Sequence, residues 1–248
     1  MSKHELIYGM HSVSSVLKSQ PQRFVRVFVH KERHDKRLQQ LVDALYREQI
    51  DIVREDKQQL DKLVDGNHQG IVAECLPGRE YDEGFITELA EQHKKKLLLL
   101  VLDGVTDPHN LGACMRTAEA AGVHGVVVPR DNSASLNSTV RKVAAGAADL
   151  VPLIVVTNLA RTLRDMQELG IWIIGTAGEA AQTLYQAKLQ TPMALVMGAE
   201  GSGMRRLTRE TCDDLVAIPM LGETSSLNVS VATGVCLFEI VRQNSTHH

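Results

Sequence analysis

Three short stretches hold most of the side chains able to do chemistry. DGVTDPHNLGACMRTAEAAG (103–122) offers Asp103, Asp107, His109, Asn110 and Arg116. LVMGAEGSGM (195–204) sets one carboxylate, Glu200, among three glycines. SSLNVSVATGVCLFEIV (225–241) places Ser226 and Asn228 ahead of a nearly apolar run. In the first stretch, an Asn and an Arg near a helix start can address a phosphate or a ribose. A cap at Asn110 and a solvated Arg116 is the plain alternative. The two residues fall on different faces of a helix with about 3.6 residues per turn, so they need not touch the same atom. Asp103, Asp107 and His109 form a loose oxygen-rich set that turn and capping roles also explain, so no metal is expected.

The second stretch has neither a G-x-G-x-x-G fingerprint nor a P-loop lysine. Its glycines let backbone approach a bulky ligand closely. Glu200 can then position a cation or a substrate hydroxyl; a tight turn with an exposed carboxylate is the alternative. In the third stretch, Ser226 and Asn228 stand where a helix leaves its first N–H groups unpaired, and ordinary capping explains them too. The helix that follows is apolar nearly all round, which demands packing on every side, as a sheet cover or a subunit interface.

These stretches lie in a regular background. Apolar runs at 97–103, 123–129, 151–156, 172–177, 194–198 and 215–220 recur at roughly twenty-residue spacing with helical stretches between most of them. Gly122 and Gly170 are placed to end two helices, and Asn158 to begin one. The pattern predicts an α/β domain with a mostly parallel, two-side-covered sheet, and ligands beyond the carboxyl ends of its strands. Residues 1–76 have a different texture. They predict helices over 12–18 and 35–49 and strands over 26–30, 51–54 and 71–75. Residues 77–96 read as a polar linker with a helical second half, leaving 97–245 as the main domain.

Composition narrows the function. Aromatic residues make up 4% of the chain, too few for aromatic stacking to be the main way of holding bases. The net charge is −3, so any nucleic-acid surface is local. The segment 23–37 is one candidate, with six basic and two acidic residues and with His30 and His34, which read as surface or pairing residues. A solvated face is its alternative. Four cysteines without a C-x-x-C pair read as reduced thiols of a cytoplasmic protein. The N-terminus lacks a signal-peptide core, and the run 97–102 is too short to span a bilayer. The polar NSTHH ending is set aside from the fold.

Taken in order, NLGACMRTAEAAG, MGAEGSGM and IPMLGETSSLNVSVATG resemble the three motifs of SPOUT methyltransferases of the SpoU/TrmH type. YGMHSVSSVL, HQGIVAECLPGR and the tail region are similar to the bacterial branch that methylates guanosine 2′-hydroxyls in 23S rRNA. The resemblance implies a deep trefoil knot in the C-terminal domain and an N-terminal L30e-like module that grips RNA. It implies S-adenosylmethionine as cofactor, with Gly198, Ile218 and Leu227 lining its site. It implies a homodimer with the active site near the subunit boundary. Asn110, Arg116, Glu200, Ser226 and Asn228 match its catalytic positions, with Glu200 holding Arg116 or the substrate, and Arg23, Arg26, Lys31, Arg33 and Arg37 are expected to contact RNA phosphates. The expected substrate is 23S rRNA, in the peptidyl-transferase region, or a large-subunit assembly intermediate. Competing readings are methylation of tRNA, a non-catalytic RNA-binding assembly factor, and a nucleotide-dependent enzyme using Asp103, Asp107 and a divalent ion.

Overall fold

The computed structural model describes residues 4–33 and 35–245; His34 and the last three residues of the polar tail lie outside the described residues. The chain divides into two compact units, Met1–Arg79 with Ala145–Leu150, and Glu80–Ala144 with Val151–His248.

The first unit runs β1 (Glu5–Tyr8), α1 (Met10–Ser19), β2 (Phe24–His30), α2 (Lys36–Arg47), β3 (Ile52–Glu55), α3 (Lys57–Leu63) and β4 (Ile71–Cys75). Its four-stranded sheet has the order β1-β4-β2-β3. β4 runs antiparallel to both neighbours and β2 parallel to β3. The apolar positions of α1 and α2 close one core with the sheet, including Val13, Val16, Leu38, Leu45, Val27 and Ile71. Asp35 caps α2 by accepting from Leu38 N–H at 3.1 Å. β1 and α3 went unread in the sequence, because each is short and only partly buried. Residues 145–150 were expected with the C-terminal domain and instead group with this unit. Gly146, at φ +95°, turns there so tightly under α1 that a Cβ would strike Ser15 Oγ. Ser19 Oγ donates to Asp149 O at 3.1 Å, tying the segment to the end of α1.

The second unit runs α4 (Gly84–His93), β5 (Leu98–Asp103), α5 (Pro108–Ala120), β6 (Gly125–Pro129), α6 (Ser138–Ala144), β7 (Leu153–Val156), α7 (Leu159–Glu168), β8 (Trp172–Thr176), β9 (Gln182–Thr183), β10 (Met193–Gly198), α8 (Arg206–Thr211), β11 (Asp214–Ala217) and α9 (Val229–Ser245). Seven strands form one sheet in the order β7-β6-β5-β10-β8-β11-β9. Every neighbouring pair is parallel. β5 and β6 are buried along their whole length, and β10 up to Gly198. This is what unbroken apolar runs produce when helices cover both faces. Each fully buried Leu, Ile or Val contributes about 1.5–3 kcal/mol over exposure. The helix-end expectations hold: Asn158 Oδ1 accepts from Arg161 N–H at 3.1 Å, and Gly122 and Gly170 take positive φ after their helices. The run 215–220 is strand only to Ala217. Among the described residues, no helix is long and apolar enough to cross a membrane.

Because all seven strands are parallel, their carboxyl ends share one edge. The register sets Gly198 beside Asp103, so the segments leaving β10 and β5 start as neighbours. That alignment brings distant stretches of sequence to one place.

His124 supplies a pH-sensitive joint at the other end of β5. Its ring stacks on His93 with centroids 3.8 Å apart, and Leu98 N–H donates to its Nδ1 at 3.0 Å. Burial first, and the His93 charge second, hold its pKa below the usual 6.5. The unfolded chain therefore binds this proton at a higher pH than the folded one. Stability contributed here is present above about pH 6.5 and is lost as pH falls from there to the depressed folded value. Urea melts from pH 7.5 to 5.5 are expected to show that loss. His124→Asn, which keeps an acceptor for Leu98, is expected to flatten it.

Candidate active site

A cavity of about 690 Å³ lies beyond the carboxyl ends of β8, β10 and β11. Gly198, Ile218 and Leu227, the three residues expected at a cofactor, all line it. Its walls also include Glu200 and Ser226.

The loop after β10 folds on itself. Ala199 N–H donates to Gly203 O at 3.1 Å and Gly203 N–H to Ala199 O at 3.0 Å. Gly201 and Gly203 take φ of +77° and +67°. A Cβ at Gly198 would lie inside the backbone of Gly203 and Met204. The glycines are thus first a requirement of the loop's own closure, the tight turn that stood as the alternative in the sequence. At the loop's far end Arg205 is anchored to Asp103, whose side chain is fully buried. Asp103 accepts from Arg205 N–H at 2.8 Å and from its Nε at 2.6 Å. Asp103 is therefore a loop anchor rather than a metal ligand. Asp107 is the N-cap of α5, accepting from His109 N–H at 2.9 Å, and that bond, the largest cause, holds its carboxyl below the usual range. The alternative of a cap at Asn110 is thereby removed: α5 begins two residues before it, and the amide side chain is left for other work.

That work is at Glu200. Its Oε1 accepts from Asn110 Nδ2 at 3.2 Å, from Val229 N–H at 3.3 Å, and from Asn228 Nδ2. Asn228 Nδ2 also donates to Asn110 Oδ1 at 3.0 Å. Asn228 Oδ1 caps α9 by accepting from Ser230 N–H at 2.9 Å. A carboxylate at a helix N-terminus is stabilised by the unpaired N–H groups and the helix dipole. Three of the five expected catalytic residues thus form one hydrogen-bonded set. Ser226 stands on the cavity wall with no side-chain hydrogen bond among the described residues.

Arg116 does not join the set. It is exposed on α5 and has no hydrogen-bond or ion-pair partner among the described residues. The expected hold of Glu200 on Arg116 is therefore absent within the chain. Beneath the site α5 packs on α9, where Cys114 Sγ meets Thr233 Oγ1 at 3.6 Å. Burial pushes the Cys114 thiol up to about 11, with Glu200's charge adding to it. Burial likewise pushes Cys212 and Cys236 up to about 12. These three are free thiols and poor nucleophiles.

The expected phosphate contacts fare unevenly. Arg23 is corrected: it is buried at 6% exposure and spends its guanidinium inside the first unit, on Glu5, Leu76 O and, at 3.7 Å, Asp149. Arg26 pairs with Glu74 at 2.9 Å, Lys31 with Asp56 at 2.6 Å and Arg33 with Asp35 at 2.5 Å. Arg37 is exposed and its guanidinium has no partner among the described residues.

A parallel sheet with a cavity at its strand ends, closed by a Gly-rich loop and a helix N-terminus, defines a nucleotide- or nucleoside-binding α/β protein. Two family models give the class its name. Residues 97–238 match the SpoU rRNA methylase family, and residues 6–81 match the RNA 2′-O ribose methyltransferase substrate-binding model. The chain belongs to the SpoU rRNA methylase family. It is 61% identical to the 23S rRNA (guanosine-2′-O-)-methyltransferase RlmB of Photorhabdus laumondii, over 98% of this chain and 99% of that protein. It is 60% identical to RlmB of Escherichia coli K12, over 97% and 99%. A solved RNA 2′-O ribose methyltransferase superposes with a TM-score of 0.80 at 25% identity, over 98% of this chain and 90% of that one. The SpoU methyltransferase AviRb from Streptomyces viridochromogenes, solved with the cofactor AdoMet, shares the fold with a TM-score of 0.81 at 21% identity, covering 99% and 92%.

Asn228→Ala is expected to remove a helix cap and one anchor of Glu200 together, costing about 1 kcal/mol of stability, read from urea melts. Gly198→Ala is expected to cost more, about 1–3 kcal/mol, because the clash is with backbone.

Proposed function

We propose that this protein transfers a methyl group from S-adenosylmethionine to the ribose 2′-hydroxyl of a guanosine in 23S rRNA, in the peptidyl-transferase region. The observation that carries the reading is the Glu200 carboxylate, oriented by Asn110, Asn228 and the start of α9 on the rim of the strand-end cavity. Similarity to RlmB along nearly the whole chain supports the nucleotide and the RNA. The cavity residues fit the cofactor. Ile218 and Leu227 offer apolar walls for a nucleoside, the 198–204 loop offers close backbone, and Glu200 complements a sulfonium charge. When bound, S-adenosylmethionine supplies an electrophilic methyl on a sulfonium leaving group.

The chain's residues supply position and electrostatics. All three contacts to Glu200 go to Oε1, which leaves Oε2 to accept from the ribose hydroxyl and aim it. Arg116 brings a cationic fork to the oxygen on which negative charge develops. A guanidinium is a poor proton acceptor, so its part is charge stabilisation rather than base catalysis. Ser226 orders the loop at the cavity wall. Arg116 lacks a carboxylate partner among the described residues, and Val231 and Phe238 on α9 are half exposed. Both features support a homodimer in which the site is completed at the subunit boundary. β10 inserts between β5 and β8, both earlier in the chain, which supports the knotted threading of 97–245. Residues 1–76 serve RNA binding; the linker expected over 77–96 is corrected, because the chain from Glu80 on groups with the second unit and Ile86 and Leu89 of α4 lie in its core. The RNA substrate and the free thiols of Cys114, Cys212 and Cys236 support a cytoplasmic protein.

Purified protein, labelled S-adenosylmethionine and 23S rRNA from cells lacking the enzyme are expected to yield one 2′-O-methylguanosine. Arg116→Ala is expected to lower turnover by about 10²-fold or more, while calorimetric binding of the cofactor or its demethylated product stays within about twofold. Unchanged turnover in that variant would remove the role given to Arg116; absence of cofactor binding by the folded wild type would remove the function.

A further inference from the structure

The sequence placed RNA contacts on the basic segment 23–37, and the structure uses most of those cations internally. Arg23, Arg26, Lys31 and Arg33 all face carboxylates. A cation already paired and hydrogen-bonded gives less to a phosphate, since the existing pair must be broken or shared. Arg37, at the end of that segment, is unpaired, and it joins two cations from elsewhere in the first unit. A groove of about 740 Å³ runs between α1 and α2. Lys18, Arg37 and Arg47 line it; each is exposed, and none has an ion-pair partner among the described residues. Glu48 is the one carboxylate among the described lining residues. His11 adds a fourth nitrogen donor at the mouth.

The groove also has an apolar floor, made by Met10, Leu17 and Leu41. The arrangement follows from helix periodicity. Met10, Ser14, Leu17 and Lys18 share one face of α1, and Arg37, Leu41, Ala44 and Arg47 one face of α2. Cations on the rim and apolar atoms below are the two surfaces that unpaired RNA presents partners for, phosphates and base faces. A regular duplex hides its base faces and can use only the rim.

We infer that the α1–α2 groove, rather than the basic β2 segment, grips an unpaired stretch of the RNA substrate through Lys18, Arg37 and Arg47. The inference rests on the RNA-directed function proposed above. It is tested by fluorescence anisotropy with a labelled single-stranded fragment of 23S rRNA across a salt series, on the full chain. The triple variant Lys18→Gln/Arg37→Gln/Arg47→Gln is expected to lose at least about tenfold in affinity. Its slope of log affinity against log salt should flatten by about 2, at about 0.7 per phosphate contact for single strands. Cofactor binding and the thermal midpoint should be unchanged. Arg26→Gln/Lys31→Gln/Arg33→Gln is expected to keep most of its affinity, and a blunt duplex of equal length to compete less well than the single strand.

Wild-type affinity and slope in the folded groove variant overturn the inference, as does a larger loss in the β2 variant. Equal competition by the duplex overturns the seating of bases on the floor. Single replacements at exposed Lys18 and Arg47 give the same readout if the triple variant loses its thermal transition. Wild type that binds the RNA but transfers no methyl to it refutes the enzymatic reading, and leaves the groove comparison decisive on its own terms.

Discussion

One oxygen atom organises the active end of this protein. Oε1 of Glu200 receives an amide N–H from α5, an amide N–H from the residue before α9, and the backbone N–H that opens α9. Those donors come from chain positions 110, 228 and 229, and the acceptor from a loop between them. Each donor alone has an ordinary role at a helix start. Together they hold a charged side chain at the mouth of a cavity without neutralising it, since none of the donors carries charge. The carboxylate keeps its second oxygen and its negative field for what binds there. The pair between buried Asp103 and half-exposed Arg205 serves the same arrangement, fixing the end of the loop that carries Glu200. A buried carboxylate is costly unless paired and hydrogen-bonded, so the contact also discourages other placements of that loop.

In the first unit, electrostatics divides the work differently. Carboxylates from β1, β4 and the loops meet Arg23 just before β2, Arg26 within it and Lys31 and Arg33 after it, and these pairs hold sheet and loops together. The α1–α2 side carries cations that the fold does not use. Counting charges along the sequence cannot separate the two groups, because Glu74 lies far along the chain from Arg26 and Asp149 farther still from Arg23. Similar charge densities can serve cohesion on one face and leave another face open to an anionic polymer.

The alternating strands and helices of 97–245, the covered parallel sheet, the end of α5 and both ends of α7 were legible in the sequence, because each is written in local pattern; the residues expected at the cofactor came from the motif resemblance. Apolar runs, a helix-stopping Gly122 and a capping Asn158 act over a few residues. The motif resemblance added the family and its cofactor. Arg23 read as a surface cation because nothing near it in sequence announces Glu5 or Asp149 as partners. A cap stayed open as the alternative role for Asn110, because only the first helical hydrogen bonds show that Asp107 begins the helix. The short α6 and α8 and the two-residue β9 carry too little periodicity to be seen.

By itself, then, the chain's order of residues determined the fold class, the three chemical junctions and the identity of the side chains gathered there. Tertiary structure alone decided which atoms meet: that Glu200 faces Asn110 and Asn228 rather than Arg116, that the glycines serve loop closure, and which cations are spent inside the first unit. The reason is range. Propensity, capping and periodicity act between residues a few places apart, whereas a hydrogen bond or ion pair forms between whichever groups sheet register and packing bring within about 3 Å, however far apart they lie along the chain.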